Sequence, residues 1–361
     1  MAQQKGSIEQ IRLAPRFASQ MSDSDSCSVR LRLIRGLSLG VVFLGAWAGM
    51  SLIAGKMLPF PNVPEVSEKF RYFDAHKDGF DTIFVGSSRT YYQIIPRKFD
   101  AECEEAGVRT NSFNLANAGM WPPESFYFLR QILRLRPASL KFVMIDLMDM
   151  DSRGDRGTQR AVYWHDWSHT VMAMRDVMES PLTLSNKITQ LREHGALFLK
   201  RLSNPGSAVE WLGERMIPSK HPYPPKWAGL GGFEPLVESG LTGERREKYL
   251  NVVSSFKAGL PRKPARAVFF DACNEIAEEV QRTGAEPIFI LAPTTGTGEN
   301  RFRLPDGITV FDFNDPAQYP ILFDADLRYD EWHLNEKGAI AYTHLIAQHF
   351  VMWQRRRLSR D

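Results

Sequence analysis

Cysteine is scarce in this chain: three residues in 361, with no Cys-x-x-Cys pair. Neither a structural zinc site nor a disulfide framework is therefore indicated. A dominant charge is also missing. The formal net charge is only +3, and no basic stripe interleaved with aromatics occurs, which argues against nucleic acid as a partner. No internal repeat is visible. Thr294-Thr295-Gly296-Thr297-Gly298 follows a strand pattern as a phosphate loop would, but it lacks the lysine and reads as a plain loop. A composition 43% hydrophobic and 24% charged excludes a wholly disordered chain.

Long apolar runs are rare too, with one exception. Gly36–Gly55 contains no Asp, Glu, Lys or Arg. A helix of about 20 such residues matches a hydrocarbon core of ~30 Å. Arg30, Arg32 and Arg35 precede it and Lys56 follows, so the positive-inside rule puts 1–35 in the cytoplasm and the rest outside. Ala46-Trp47-Ala48 offers a competing reading as a signal-peptide cleavage site. The apolar run continues past that site, which favours an anchor. Residues 1–35 are expected as a mostly disordered tail, 36–55 as a transmembrane helix, and 56–80 as a connector with a short helix from Val66 to Asp74. On this topology Cys27 is cytoplasmic, while Cys103 and Cys273 lie in an oxidising space. Both sit in separate helical patterns and are expected as free, buried thiols.

From residue 81 the pattern alternates. Strands are expected at 81–86, 110–115, 140–146, 286–291 and 309–313. Helices are expected at 96–106, 123–135, 265–283 and 335–354. Such alternation implies a mostly parallel five-stranded sheet covered on both faces, an α/β/α sandwich. Residues 152–264 break the rhythm and read as a helical insertion near the site edge, within a domain spanning 81–361. Long excursions of this kind are often functional.

Two motifs carry chemistry. Phe84-Val85-Gly86-Ser87-Ser88-Arg89-Thr90 ends the first strand. Gly86 lets the backbone turn sharply, placing two serines at the carboxyl edge of the sheet, where α/β folds hold ligands. Asp330-Glu331-Trp332-His333-Leu334-Asn335 opens the last helical pattern. A serine hydroxyl needs a base to become nucleophilic, and a carboxylate fixes and stabilises the imidazole that serves as one. Taken singly, each motif is equally well a turn or a helix cap by Asp330. A third segment, Phe113-Asn114-Leu115-Ala116-Asn117-Ala118-Gly119-Met120, follows the second strand.

In this order the three segments resemble the SGNH (GDSL-like) hydrolase superfamily, over roughly 81–150 and 265–350. The resemblance implies Ser88 as nucleophile, with Ser87 at the family's Asp position, His333 as base and Asp330 as its orienting acid. It implies the N–H groups of Ser88 and Gly119 as oxyanion donors, with Asn117 as a further candidate. The third strand reads Phe142-Val143-Met144-Ile145-Asp146-Leu147-Met148-Asp149-Met150-Asp151. It lacks the Asn that the family uses as another donor, and such a loss costs about 10²–10³ in rate.

The chain is similar to the membrane-anchored branch that includes the teichoic-acid D-alanine transfer protein and exopolysaccharide O-acetyltransferases. That likeness implies O-acylation of a cell-surface glycan at the bacterial inner membrane, with a periplasmic catalytic domain. It also implies a membrane-bound O-acyltransferase as partner, and no cofactor. Hydrolysis by the same fold, and a degenerate scaffold, are the alternatives.

Other features have two readings each. Arg89 either binds substrate or holds the loop. Trp164, Trp167, Tyr163, Tyr223 and Trp227 either stack on sugar rings or form the insertion's own core. His165 and His169 stand at i, i+4, a metal-binding spacing, but without a third ligand they read as a helix start and no metal is expected. The arginines Arg355–Arg357 suit a helix C-terminus.

Overall fold

The computed structural model describes residues 23–57, 66–150, 159–203, 227, 229–237, 240–255, 263–264, 266–295, 302–303 and 307–359. Several expectations fall outside those residues: the tail before Asp23, residues 58–65 of the connector, Tyr223, and residues 296–298 of the glycine-containing loop.

The chain divides into two compact units, 1–53 and 54–361. The first is built on helix α1 (Asp23–Met57). Its segment Arg30–Ser51 is long and apolar enough to cross a membrane, and side chains such as Leu37, Val41, Phe43 and Leu44 are exposed. The helix begins earlier than expected, so 23–35 is helical rather than part of a disordered tail. Once a helix is nucleated, each added residue gains a hydrogen bond at little cost, and nothing in Asp23–Arg35 breaks it.

The second unit is an α/β/α sandwich. In chain order it contains α2 (Val66–His76), β1 (Thr82–Val85), α3 (Ser88–Tyr91), α4 (Pro96–Glu105), β2 (Ser112–Asn114), α5 (Glu124–Arg134) and β3 (Phe142–Asp146). Then follow α6 (Gln159–Trp164), α7 (Trp167–Glu179), α8 (Leu184–Ser203), α9 (Gly243–Ser255), β4 (Lys263–Pro264), α10 (Ala267–Arg282) and β5 (Glu286–Leu291). It closes with β6 (Phe302–Arg303), β7 (Val310–Asp312) and α11 (Glu336–Leu358). The five expected strands form one sheet of order β2-β1-β3-β5-β7, and all its pairings are parallel. The short β4 and β6 pair separately.

Alternate strand residues serve two cores. Ile83, Val85, Val143, Ile145, Phe289 and Leu291 pack with α2, α5 and α10. Phe84, Met144, Ile288 and Ile290 pack with α4 and α11. Burial on both faces is what an all-parallel sheet requires. The expected thiols Cys103 and Cys273 are free and buried. Burial, reinforced by Asp100, pushes the Cys103 thiol up to about 12.

This strand order puts the switch point between β1 and β3, whose connections leave in opposite directions and open a crevice at their carboxyl ends. The insertion closes the β2 edge at Gly231 and Gly232. Asn114 N–H donates to the Gly231 carbonyl at 2.8 Å. Gly232 follows at φ +92°, where a Cβ would lie 2.1 Å from the Asn114 oxygen, so a glycine is required there. Trp227, one of the candidate sugar-stacking aromatics, is buried beside Tyr72 and Phe113.

Candidate active site

Ser88 opens α3 at the end of β1. Ser87 is the N-cap: its Oγ accepts from Arg89 N–H at 3.2 Å and donates to Asp146 Oδ2 at 2.6 Å. Ser87 N–H also reaches Asp146 Oδ2, at 3.2 Å. Asp146 ends the neighbouring strand β3, so the switch point itself holds the Ser87–Ser88 turn. The approach is close enough that a Cβ on Gly86 would sit 2.2 Å from Asp146 Cβ. Burial pushes the Asp146 carboxyl above its ordinary range, against the opposing pull of Arg89 and the Ser87 bonds.

His333 Nε2 lies 2.8 Å from Ser88 Oγ. Its Nδ1 lies 2.8 and 2.9 Å from the two Asp330 oxygens. An ionised Asp330 only accepts, so Nδ1 carries the proton and Nε2 accepts from Ser88. Burial alone would raise the Asp330 carboxyl, but its bonds to His333 and to backbone N–H groups outweigh this and hold it below the usual range. The Asp330–His333 motif does not open the last helix. It forms a separate turn in which Asp330 Oδ1 accepts Trp332 and His333 N–H, both at 2.7 Å. Asn335 caps α11 through Gly338 N–H. The reason is the Arg328–Leu334 backbone bridge, which folds the motif back before the helix begins.

The Gly119 loop runs from β2 to α5. Ala116 N–H donates to Asn114 Oδ1 at 3.0 Å, and Asn117 N–H donates to the Gly86 carbonyl at 3.1 Å. Asn117 is buried and its side-chain amide donates to the Leu115 carbonyl at 2.9 Å, a bracing arrangement for the loop. Gly119 is exposed with φ +65°. Among the described residues, neither Ser88 N–H nor Gly119 N–H has a protein acceptor, as free oxyanion donors require.

The remaining candidates lie elsewhere. Arg89 is 7% exposed and its charge acts on Asp146, which fits loop-holding. Trp164 is 4% exposed, stacks on His165 and shares a cluster with Tyr127, leaving no open face for a sugar. Trp167 is exposed and touches Phe198 edge-on. His165 and His169 do not converge: the first bonds His194 at 2.8 Å, and the second bonds Asp166 and Arg130.

Three supporting residues escaped the sequence reading. Asp146 had a signal, an acid closing an apolar strand. Lys69 on α2 is fully buried, donates to the Ala116 carbonyl at 2.5 Å and lies 3.6 Å from the Tyr91 ring centre. Arg160 on α6 donates to the Ala118 carbonyl at 2.7 Å. Neither basic residue has a local sequence signature, since each binds a carbonyl remote in the chain.

Set against known proteins, the chain matches no family model and no curated sequence.

Proposed function

We propose that this chain is a membrane-anchored serine acyltransferase that works outside the cytoplasm and acylates, most simply acetylates, a hydroxyl of a cell-surface glycan. The observation that carries the reading is the hydrogen-bonded series Ser88–His333–Asp330. A scaffold needs no such series, and a serine that aligns with its base and acid is what acyl transfer requires.

In the first half-reaction Ser88 Oγ attacks the acyl carbonyl while its proton passes to His333 Nε2. Asp330 stabilises the imidazolium that forms. The Ser88 and Gly119 N–H groups take the oxyanion. The leaving group departs with the proton from His333, giving acyl-Ser88. An acceptor hydroxyl then yields its proton to His333 and attacks the ester, which transfers the acyl group and restores Ser88. The apolar helix Arg30–Ser51 supports membrane attachment, and the arginines before it support an inward N-terminus. A multispanning acyltransferase would supply the acyl group from the cytoplasmic side.

The test uses full-length protein in detergent with p-nitrophenyl acetate. Ser88→Ala is expected to lower turnover by at least about 10³-fold. Equal turnover of wild type and variant removes the nucleophile assignment. A glycan acceptor added to the same assay separates transfer from hydrolysis: acyl-glycan as the main product supports the proposal, and free acid alone replaces it with an esterase.

A further inference from the structure

We infer that Arg160 is a positioning residue that aims the Gly119 N–H at the oxyanion. The inference rests on the acyl-transfer reading above. A trans peptide is planar, with its C=O and N–H pointing in opposite directions. Holding the Ala118 carbonyl therefore sets the direction of the Gly119 N–H, because both belong to one peptide unit. Arg160 Nη1 holds that carbonyl at 2.7 Å. Its Nε bonds Glu124 at the start of α5, which anchors the guanidinium at the far end of the same loop. The side chains of Arg160 and Glu124 are 16% and 14% exposed, so water competes weakly for this pair.

The Ala116–Asn117 peptide, two residues earlier in the same loop, shows the same rule at work. Lys69 holds the Ala116 carbonyl at 2.5 Å, and the Asn117 N–H on the other side of that peptide donates to Gly86 at 3.1 Å. Gly119 needs such a fixture more than other loop residues do. It is a glycine with φ +65°, in a turn closed by a single 3.3 Å bond from Met120 N–H to the Asn117 carbonyl, and a glycine backbone is the most permissive in the chain. Arg160 belongs to the insertion, which thereby acts on the chemistry through a backbone peptide while touching no reacting atom.

The experiment compares wild type, Arg160→Met and Arg160→Lys as full-length proteins. The pre-steady-state burst of p-nitrophenol counts competent sites, and turnover is expressed per site. Arg160→Met is expected to lose about 10- to 100-fold in kcat per site, as misplacement by about 1 Å does, with KM changed by less than about threefold. Arg160→Lys keeps a charged donor and is expected to fall between the two. Affinity for a phosphonate, whose oxygen occupies the oxyanion position, is expected to drop in parallel with kcat. If Arg160→Met folds and shows wild-type kcat per site, the inference is overturned. If it does not fold, Arg160→Lys with unchanged kcat and phosphonate affinity overturns it. A wild type without any Ser88-dependent burst overturns the acyl-transfer reading instead, and this inference with it.

Discussion

Asp330→Asn is the sharpest perturbation of the proposed triad because it changes one function of the carboxylate and spares the others. Asp330 Oδ1 accepts the Trp332 and His333 N–H groups, both at 2.7 Å. An asparagine oxygen can take those two bonds, so the turn survives. Both carboxylate oxygens also face His333 Nδ1, at 2.8 and 2.9 Å. In the variant the oxygen at 2.9 Å is already taken by the two backbone N–H groups, and an NH₂ group replaces the oxygen at 2.8 Å and confronts the Nδ1–H. Two donors cannot share a bond, so the imidazole moves its proton to Nε2. That atom then donates toward Ser88 and no longer accepts its proton.

The wrong tautomer and the lost imidazolium stabilisation together cost about 10⁴ in rate where such a triad operates, or about 5.5 kcal/mol of barrier. Steady-state hydrolysis of p-nitrophenyl acetate, normalised to burst amplitude, reads this directly. The stability signature has a definite sign. The native Asp330 carboxyl is held low, so it stabilises the fold above about pH 4 and loses that contribution as pH falls through the folded value. Asp330→Asn is therefore expected to be less stable than wild type at neutral pH, with the gap closing in acid. A variant whose kcat/KM stays within tenfold of wild type would refute the tautomer argument and remove Asp330 from the mechanism.

Substitutions at two further positions test the surroundings. The Asp146 carboxyl is pushed up by burial, so its ionisation destabilises the native state progressively as pH rises from about 4 through the folded value; Asp146→Asn keeps an acceptor for Ser87 and is expected to gain stability over wild type across that rise while retaining activity, whereas Asp146→Leu strands the Ser87 hydroxyl and is expected to lose both. His165 is fully buried, and burial lowers its imidazole to about 4. Its neutral form is lost from the unfolded chain first as pH falls from about 6.5 to 4, which costs roughly 3 kcal/mol over that window. Urea titrations of His165→Phe are expected to show a shallower acid loss than wild type, and parallel curves would remove His165 from the acid response.

The sheet was legible because each strand is a short apolar run between turn signals, and all five expected strands occur in one parallel sheet. The helix boundaries were legible where proline, glycine or Asn335 marked them. α11 runs past Gln354 to Leu358, because cations favour a helix C-terminus: Arg357 pairs with Glu286 and Arg355 reaches the Ala106 carbonyl. What resisted reading were side chains whose partners are backbone atoms of remote segments. Lys69 looks like any helical lysine until the Ala116 carbonyl is seen beside it. Arg89 adjoins Ser88 in sequence, which suggested a role toward substrate, yet the first turn of α3 carries it inward, toward Asp146. Trp164 follows the same logic: aromatic residues in an insertion suggest a binding surface, and contact with Tyr127 buries this one.

The chain carries its own comparison for the Asp-x-x-His motif. Asp166-Trp167-Ser168-His169 repeats the spacing of Asp330-Glu331-Trp332-His333, and the local geometry repeats as well. Asp166 Oδ1 accepts the His169 N–H at 2.9 Å and faces its Nδ1 at 2.7 Å, just as Asp330 does for His333. Both imidazoles therefore hold their proton on Nδ1 and present Nε2 as an acceptor. At His169 the group meeting Nε2 is Arg130 Nη1, at 2.8 Å. A guanidinium does not give up its proton at any accessible pH, and Arg130 is further held by Glu279 and Glu275. Burial also lowers the His169 imidazole, despite Asp166. At His333 the same acceptor meets a serine hydroxyl, whose proton can leave when its oxygen attacks a carbonyl. The motif alone makes an oriented base; the group opposite Nε2 decides whether that base has work to do. Ser88 at the β1 switch point is therefore the residue that distinguishes the surroundings of His333 from those of His169.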